Sequence, residues 1–77
     1  MKVEIYGAPW CTFCKDAVKL CEAMNVSFQY FDVDNTPVLK ELEGRIGAKV
    51  RTIPQIFVDG DRLPDGFTSL RAKLVNI

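Results

Sequence analysis

The sequence has no histidine, which excludes catalysis by a Cys–His or Ser–His pair and removes the imidazole ligands of many metal sites. It has no excess of positive charge either, because ten Lys and Arg residues balance ten Asp and Glu residues. General nucleic-acid and anionic-membrane binders rely on such an excess. No apolar run approaches the ~20 residues of a bilayer span, and the alternating residues 1–5 lack the apolar stretch of a signal peptide. We therefore expect no nucleic-acid partner, no membrane association and no export.

Cysteine is also scarce. The three cysteines cannot all pair within one chain, and small secreted disulfide scaffolds usually carry an even and larger number. We therefore expect a reducing compartment, the cytoplasm, in which any disulfide is transient. The length of 77 residues allows one domain, residues 1–77. Hydrophobic residues make up 48% of the chain, which is too high a fraction for a disordered tail.

The hydrophobic pattern predicts seven elements in the order strand, helix, strand, helix, strand, strand, helix. The predicted strands cover 3–6, 27–33, 56–58 and 62–63, and the predicted helices cover 12–25, 37–46 and a last segment that begins near Thr68 or Ser69. Thr36 is the predicted cap of the second helix, with Pro37 at the first helical position, and Asp59-Gly60 predicts the tight turn of a hairpin. The strand–helix–strand unit pairs its strands in parallel, and the hairpin adds an antiparallel pair. The expected α/β fold is a mixed four-stranded sheet with about three helices on its two faces.

The segment Cys11-Thr12-Phe13-Cys14 lies where the first predicted strand gives way to the first helix. Unpaired backbone N–H groups and the positive end of the helix dipole face Cys11 and stabilise its thiolate, which is the nucleophilic form of the sulfur. We expect Cys11 to be a partly exposed nucleophile. Cys14 lies one helical turn further toward the core and is expected to stay a protonated resolving thiol. The spacing also permits a reversible disulfide between the two.

Other interpretations of the cysteines are weaker. A structural zinc site needs about four ligands, and the sequence has neither a second cysteine pair nor histidine, so no metal is expected. A structural disulfide closing so small a loop would constrain the unfolded chain little, and a redox role is favoured. Cys21 lies on the same helix, roughly 10 Å beyond Cys14, which is too far for a disulfide. A small apolar core residue is favoured for Cys21 over a regulatory thiol.

Four segments together carry a resemblance to a known family. They are Tyr6-Gly7, Cys11-Thr12-Phe13-Cys14, Thr52-Ile53-Pro54 with the following residues 55–59, and Gly66-Phe67-Thr68-Ser69. At these distances in so short a chain, the sequence resembles the glutaredoxin family across nearly its whole length. The resemblance implies a thioredoxin-like fold and a glutathione-dependent thiol–disulfide oxidoreductase, with glutathione as co-substrate and no metal.

The resemblance also implies roles for residues outside the cysteine pair. Pro54 is expected to be a cis-proline beside the cysteines, and the backbone of Ile53 is expected to pair with a bound peptide like an added strand. The ligand's γ-glutamyl end would lie near a helix N-terminus, at Thr68 and Ser69. The family often has Asp at the position of Ser69, and Asp65 is the candidate substitute here. The expected glutathione-binding residues are Phe13, Arg51, Thr52, Ile53, Pro54, Gly66, Thr68 and Ser69.

A run of basic residues precedes the Thr52-Ile53-Pro54 segment. Arg45, Lys49 and Arg51 predict a cationic patch beside the cysteines, which would attract the two carboxylates of glutathione. The alternative is a solvated helix end and loop, with Arg45 complementing the C-terminus of the second helix.

The function expected from the resemblance is the reduction of protein disulfides and glutathione mixed disulfides by a monomer, with ribonucleotide reductase as a candidate protein substrate. Ala8-Pro9-Trp10-Cys11 departs from the family and looks like the approach to a thioredoxin active site, where Trp10 is either a stacking surface for protein substrates or a cover for the core. One alternative is therefore a glutaredoxin-like redoxin that takes electrons from thioredoxin reductase. Two others are an iron–sulfur carrier that uses the first cysteine and glutathione, and a non-catalytic binding module.

Overall fold

The computed structural model of the protein describes residues 1–75 and contains seven elements in the predicted order. They are β1 (Val3–Gly7), α1 (Thr12–Ala23), β2 (Phe28–Asp32), α2 (Thr36–Ile46), β3 (Gln55–Val58), β4 (Asp61–Arg62) and α3 (Phe67–Val75). The ends of these elements differ from the predicted ends by one or two residues. None of the helices within residues 1–75 has the length and apolar content that a bilayer span requires.

The four strands form one mixed sheet in the order β2-β1-β3-β4. β1 pairs in parallel with β2, with Val3 opposite Phe28 and Gly7 opposite Asp32. β3 runs antiparallel to both β1 and β4. The predicted combination of a parallel crossover unit and an antiparallel hairpin is confirmed, and it places β1 inside the sheet with its C-terminal end leading to the cysteine pair.

Alternate residues of β1 and β3 face opposite sides of the sheet, and each side is covered by helices. On one side, α1 and α3 pack over Ile5 and Ile56 and contribute Ala17, Cys21, Leu70 and Leu74 to the core. On the other side, α2 packs through Leu42 against Tyr6 and Phe57. The predicted covering of both faces is therefore confirmed.

The N-terminal end of α2 lies one residue earlier than expected. Asn35 is the N-cap residue with extended backbone (φ −78°, ψ 114°), and its carbonyl accepts the first helical hydrogen bond from Leu39 N–H at 3.0 Å. The prediction of Thr36 as the cap is wrong, because a turn joining Asn35 N–H to Asp32 O makes Asn35 the last extended residue. Pro37 consequently occupies the second helical position. At the other end of α2, Gly47 has the left-handed φ of +72° that suits a helix exit.

Helix α3 also begins earlier than expected, at Phe67. Gly66 O accepts from Leu70 N–H at 3.0 Å, and Asp65 O accepts from Thr68 N–H at 3.1 Å. These bonds extend the helical pattern back by one to two residues from the predicted start.

Arg45 forms an ion pair on the α2 side of the sheet and does not extend the cationic patch. Its guanidinium donates to both carboxylate oxygens of Glu4, at 2.9 and 3.0 Å, and its Cζ lies 3.7 Å from the centroid of the Phe57 ring. The hydrogen bonds to Arg45 hold the pKa of Glu4 below its ordinary value of 4.5. Of the two interpretations of Arg45, the structure agrees with the one that places it at the C-terminal turn of α2. Its guanidinium is bound to Glu4 and not directed to the cysteines, because the otherwise buried carboxylate of β1 needs a cation.

Candidate active site

Cys11 is the N-cap residue of α1, with extended backbone (φ −92°, ψ 117°). A turn places it there, since Cys11 N–H donates to Ala8 O at 3.1 Å and Lys15 N–H donates to Cys11 O at 3.1 Å. Its sulfur accepts a hydrogen bond from Cys14 N–H at 3.3 Å, in the manner of a capping side chain. The sulfur therefore lies where unpaired helical N–H groups favour negative charge. Cys11 is 9% exposed, less than the partial exposure expected, because Ala8, Cys14 and Ile53 pack around it.

Cys14 lies behind Cys11 and is fully buried. Burial is the main reason that the pKa of Cys14 rises to about 12, and a hydrogen bond with the Cys11 side chain raises it further. A backbone hydrogen bond from Ala8 opposes this rise. The raised pKa keeps the inner thiol protonated at neutral pH, as the sequence predicted.

The loop that carries Pro54 covers the cysteine pair. The Ile53–Pro54 peptide bond is cis, as the resemblance implied, and Pro54 is buried. The Cys11 thiol donates to Ile53 O at 3.8 Å. The loop and the start of α1 therefore meet at the outer sulfur.

Gln55, which the sequence analysis did not single out, holds this loop. Its side chain is 6% exposed, and its amide donates to Thr52 O at 2.8 Å while its carbonyl oxygen accepts from Arg62 Nε at 3.0 Å. The amide therefore ties the backbone before Pro54 to β4. No local signal in the sequence could identify the link to β4, because Arg62 is reached only after the hairpin has folded.

A cleft of about 370 Å³ is lined by Phe13, between the two cysteines in the sequence, and by Ile53, which packs against Cys11; neither cysteine is among its lining residues. Six of the eight expected glutathione-binding residues line it: Phe13, Thr52, Ile53, Pro54, Gly66 and Thr68. Asp65, the candidate substitute for the family's Asp, also lines it, together with three residues that were not expected: Gln55, Pro64 and Phe67. The ring of Phe13 is 59% exposed and stacks on the ring of Phe67 with centroids 5.8 Å apart. The cleft thus joins the start of α1, the Pro54 loop and the start of α3.

Two backbone segments that line this cleft, at Pro54 and Gly66, approach each other closely. Gly66 has a left-handed φ of +48°, and a β-carbon there would lie 2.6 Å from Pro54 O. Such a contact is far shorter than ordinary van der Waals distance, and the obstructing atom belongs to the backbone. Only glycine fits this position without moving the Pro54 loop.

Two expected ligand residues lie outside the cleft lining. Arg51 is exposed, and Ser69 Oγ accepts a hydrogen bond from Asp65 N–H at 3.1 Å. Ser69 thus stabilises the loop that enters α3. Trp10 is 68% exposed and does not cover the core, and its indole N–H donates to Asp34 Oδ2 at 3.1 Å.

Cys21 belongs to the core and not to the site. It is fully buried between α1 and the sheet, and burial raises the pKa of its thiol. The favoured interpretation of Cys21, a small apolar residue of the core, is confirmed. Within residues 1–75, no group of three or more Cys, Asp or Glu side chains is arranged to hold a metal ion.

Comparison with known proteins adds an independent line of evidence. A family model described as Glutaredoxin matches residues 3–63. Glutaredoxin 1 of Escherichia coli (strain K12) is 33% identical over 78 residues, which cover 94% of this chain and 91% of that protein. Among solved structures, reduced Escherichia coli glutaredoxin has a TM-score of 0.77 and 32% identity over 99% of this chain and 95% of that one. Francisella tularensis glutaredoxin 1 complexed with cacodylate has a TM-score of 0.75 and 28% identity, covering 99% and 98%. The expected thioredoxin-like fold is confirmed.

Proposed function

The chain belongs to the glutaredoxin family of thiol–disulfide oxidoreductases, and from this premise we propose that it is a glutathione-dependent member using Cys11 and Cys14. Its substrates are protein disulfides and glutathione mixed disulfides. One observation carries the proposal. The sulfur of Cys11 caps α1 next to an open cleft, while the thiol of Cys14 lies directly behind it, buried and protonated.

In the proposed reaction the Cys11 thiolate attacks one sulfur of a substrate disulfide. A mixed disulfide forms on Cys11, and the electron pair of the broken bond leaves on the other substrate sulfur. For a protein substrate, the sulfur of Cys14 then attacks Cys11 and releases the reduced protein, which leaves a Cys11–Cys14 disulfide. Two glutathione molecules reduce that disulfide. For a glutathionylated substrate, a second glutathione can release the one bound to Cys11.

The cleft supports glutathione as the bound thiol. The backbone of Ile53 lies at Cys11, where an extended peptide can add to it as a short strand. The start of α3 closes the far end of the cleft at Gly66 and Thr68, and the positive end of the helix dipole favours a carboxylate there. Phe13 forms the outer wall and offers an apolar face to the sulfur end of the ligand.

Two cysteine substitutions test the proposed roles. Cys11→Ser is expected to abolish both the reduction of a disulfide-bonded protein and the release of glutathione from a glutathionylated peptide. Cys14→Ser is expected to lose the first activity and keep the second. If Cys14→Ser loses both, or Cys11→Ser keeps either, the assignment of the two roles is wrong.

A redoxin supplied by thioredoxin reductase is the second candidate, favoured by the exposed indole of Trp10 close to Cys11 in the sequence. Coupled assays separate the two electron sources. Glutathione with glutathione reductase is expected to sustain NADPH consumption on a glutathionylated peptide. If the protein is active only when thioredoxin reductase supplies the electrons, and not with glutathione and glutathione reductase, the redoxin proposal replaces the glutathione proposal.

We propose further that the protein acts as a cytoplasmic monomer and that ribonucleotide reductase is among its protein substrates. The family resemblance supports the substrate, and the small number of cysteines supports the reducing compartment.

A further inference from the structure

The backbone of Gly7 lies next to side-chain atoms of two residues, Cys14 and Tyr30. A β-carbon on Gly7 would lie 2.6 Å from Cys14 Sγ and 2.9 Å from the Tyr30 hydroxyl oxygen. The Cys14 sulfur and the Tyr30 hydroxyl oxygen therefore both lie next to Gly7, at the C-terminal end of β1. Tyr30 reaches this space from β2, where it pairs with Ile5, and Cys14 reaches it from α1.

The Tyr30 hydroxyl is available as a donor. The other tyrosine, Tyr6, lies on the opposite side of the sheet, where its hydroxyl interacts with Glu41 and Arg45. Tyr30 makes no such side-chain hydrogen bond within residues 1–75. Burial raises the pKa of Tyr30 to about 12, with a further contribution from the nearby Cys14, so the phenol keeps its proton at neutral pH.

The resolving step requires such a donor. Cys14 has to become a thiolate to attack Cys11, yet it is fully buried, and an isolated charge in an apolar site is costly. Ala8 supplies a single backbone hydrogen bond to this sulfur. A second donor would lower the barrier to forming the anion.

We propose that the Tyr30 hydroxyl donates a hydrogen bond to the Cys14 sulfur as its negative charge develops, and that Tyr30 is thereby a catalytic residue of the resolving step. This inference rests on the proposed function of Cys14. In the step itself, the bond between the sulfurs of Cys14 and Cys11 forms and the bond from Cys11 to the substrate sulfur breaks. The electron pair leaves with the substrate sulfur, which takes up the proton lost by Cys14 through solvent. Tyr30 keeps its own proton throughout.

A symmetrical aromatic disulfide that releases coloured nitrothiobenzoate isolates this step. One equivalent added to the reduced protein releases a first nitrothiobenzoate when Cys11 is modified, and a second when Cys14 displaces the other half. Tyr30→Phe keeps the ring and removes the hydroxyl. The variant is expected to leave the first phase unchanged and to slow the second by about tenfold or more, the effect of losing one hydrogen bond to a charged atom.

Tyr6→Phe is the matched control, because it removes a hydroxyl from the other side of the sheet, and both phases are expected to keep their rates. A second phase of unchanged rate in Tyr30→Phe would overturn the inference about Tyr30 and leave the role of Cys14 intact. Equal slowing of both phases would also overturn it, since the hydroxyl would then act on Cys11 or on the fold.

Cys14→Ser distinguishes this failure from failure of the proposed function. It is expected to show the first phase only, and introducing Tyr30→Phe into it is expected to change nothing. If Cys14→Ser still releases the second equivalent, Cys14 is not the resolving thiol, and the proposed function fails together with the inference.

Discussion

Substitution of Gly66 by alanine tests whether the contact between the start of α3 and the Pro54 loop shapes the cleft. Alanine at φ +48° pays about 1–2 kcal/mol for the left-handed conformation. Its β-carbon would also lie 2.6 Å from Pro54 O, and relieving such overpacking typically costs a further ~1–3 kcal/mol. We therefore expect Gly66→Ala to lower the free energy of unfolding by about 2–5 kcal/mol.

Two other glycines of the chain provide matched controls. Gly47 also has a left-handed φ, +72°, but a β-carbon there would meet no atom within 4 Å, so Gly47→Ala should cost only the conformational part, about 1–2 kcal/mol. Gly44 lies inside α2, and its β-carbon would also lie in open space. Gly44→Ala should therefore stabilise the protein by up to ~1 kcal/mol.

Urea unfolding of the three variants measures these differences, and a domain of this size changes its Tm by about 4–8 °C per kcal/mol. Turnover on a glutathionylated peptide gives a second readout, because displacement of the Pro54 loop is expected to raise KM in Gly66→Ala. KM in the two controls should stay unchanged. If Gly66→Ala is no less stable than Gly47→Ala, the close approach carries no energetic weight and the argument is wrong.

Two further predictions concern groups outside the cleft. Arg45→Met leaves the Glu4 carboxylate, 11% exposed in its side chain, without its cation, and is expected to cost about 3 kcal/mol at pH 7, the low end for breaking a buried pair because the Arg45 side chain is 29% exposed. Because Arg45 lowers the pKa of folded Glu4, the pair stabilises the wild type fully above pH 4.5 and loses this contribution as the pH falls through the lowered value. Urea unfolding should therefore show a smaller difference in free energy of unfolding between wild type and Arg45→Met at pH 3 than at pH 7. An equal difference at the two pH values would contradict the assignment. Cys21→Ser places a hydroxyl in the apolar core and should cost about 1–3 kcal/mol with unchanged rates of thiol exchange, whereas slower exchange in a fully stable variant would indicate a functional thiol.

The order of the elements and the nature of the cysteine pair could be predicted from the sequence because both depend on residues close together in the chain. Alternating apolar residues mark β1, apolar residues at helical spacing mark α1, and Asp59-Gly60 marks the hairpin between β3 and β4. The position of Cys11 at the start of a helix follows from the same local pattern. The N-terminal ends of α2 and α3 were missed by one or two residues, because the hydrogen bonds of the preceding turns select the capping residue.

The cleft required more than local pattern. Thr52, Ile53 and Pro54 were identified by their resemblance to a family motif, and the structure places all three in the cleft wall. The sequence left two interpretations of Arg45 open, a cationic patch beside the cysteines or a complement to the end of α2, because its partner Glu4 lies 41 positions away. A run of basic residues in the sequence does not show which buried carboxylate each of them pairs with in the folded protein.

The sequence by itself determined the strand and helix order, the tight turn and the spacing of the two cysteines, since backbone propensity and side-chain periodicity act over a few residues. Only the tertiary structure decided that Arg62 would hold Gln55, that Gly66 would lie against Pro54 and that Cys14 and Tyr30 would both lie against Gly7. Each of these contacts joins residues from different segments of the chain. The distances between these residues depend on how the helices pack on the sheet, and that packing is determined by the core as a whole.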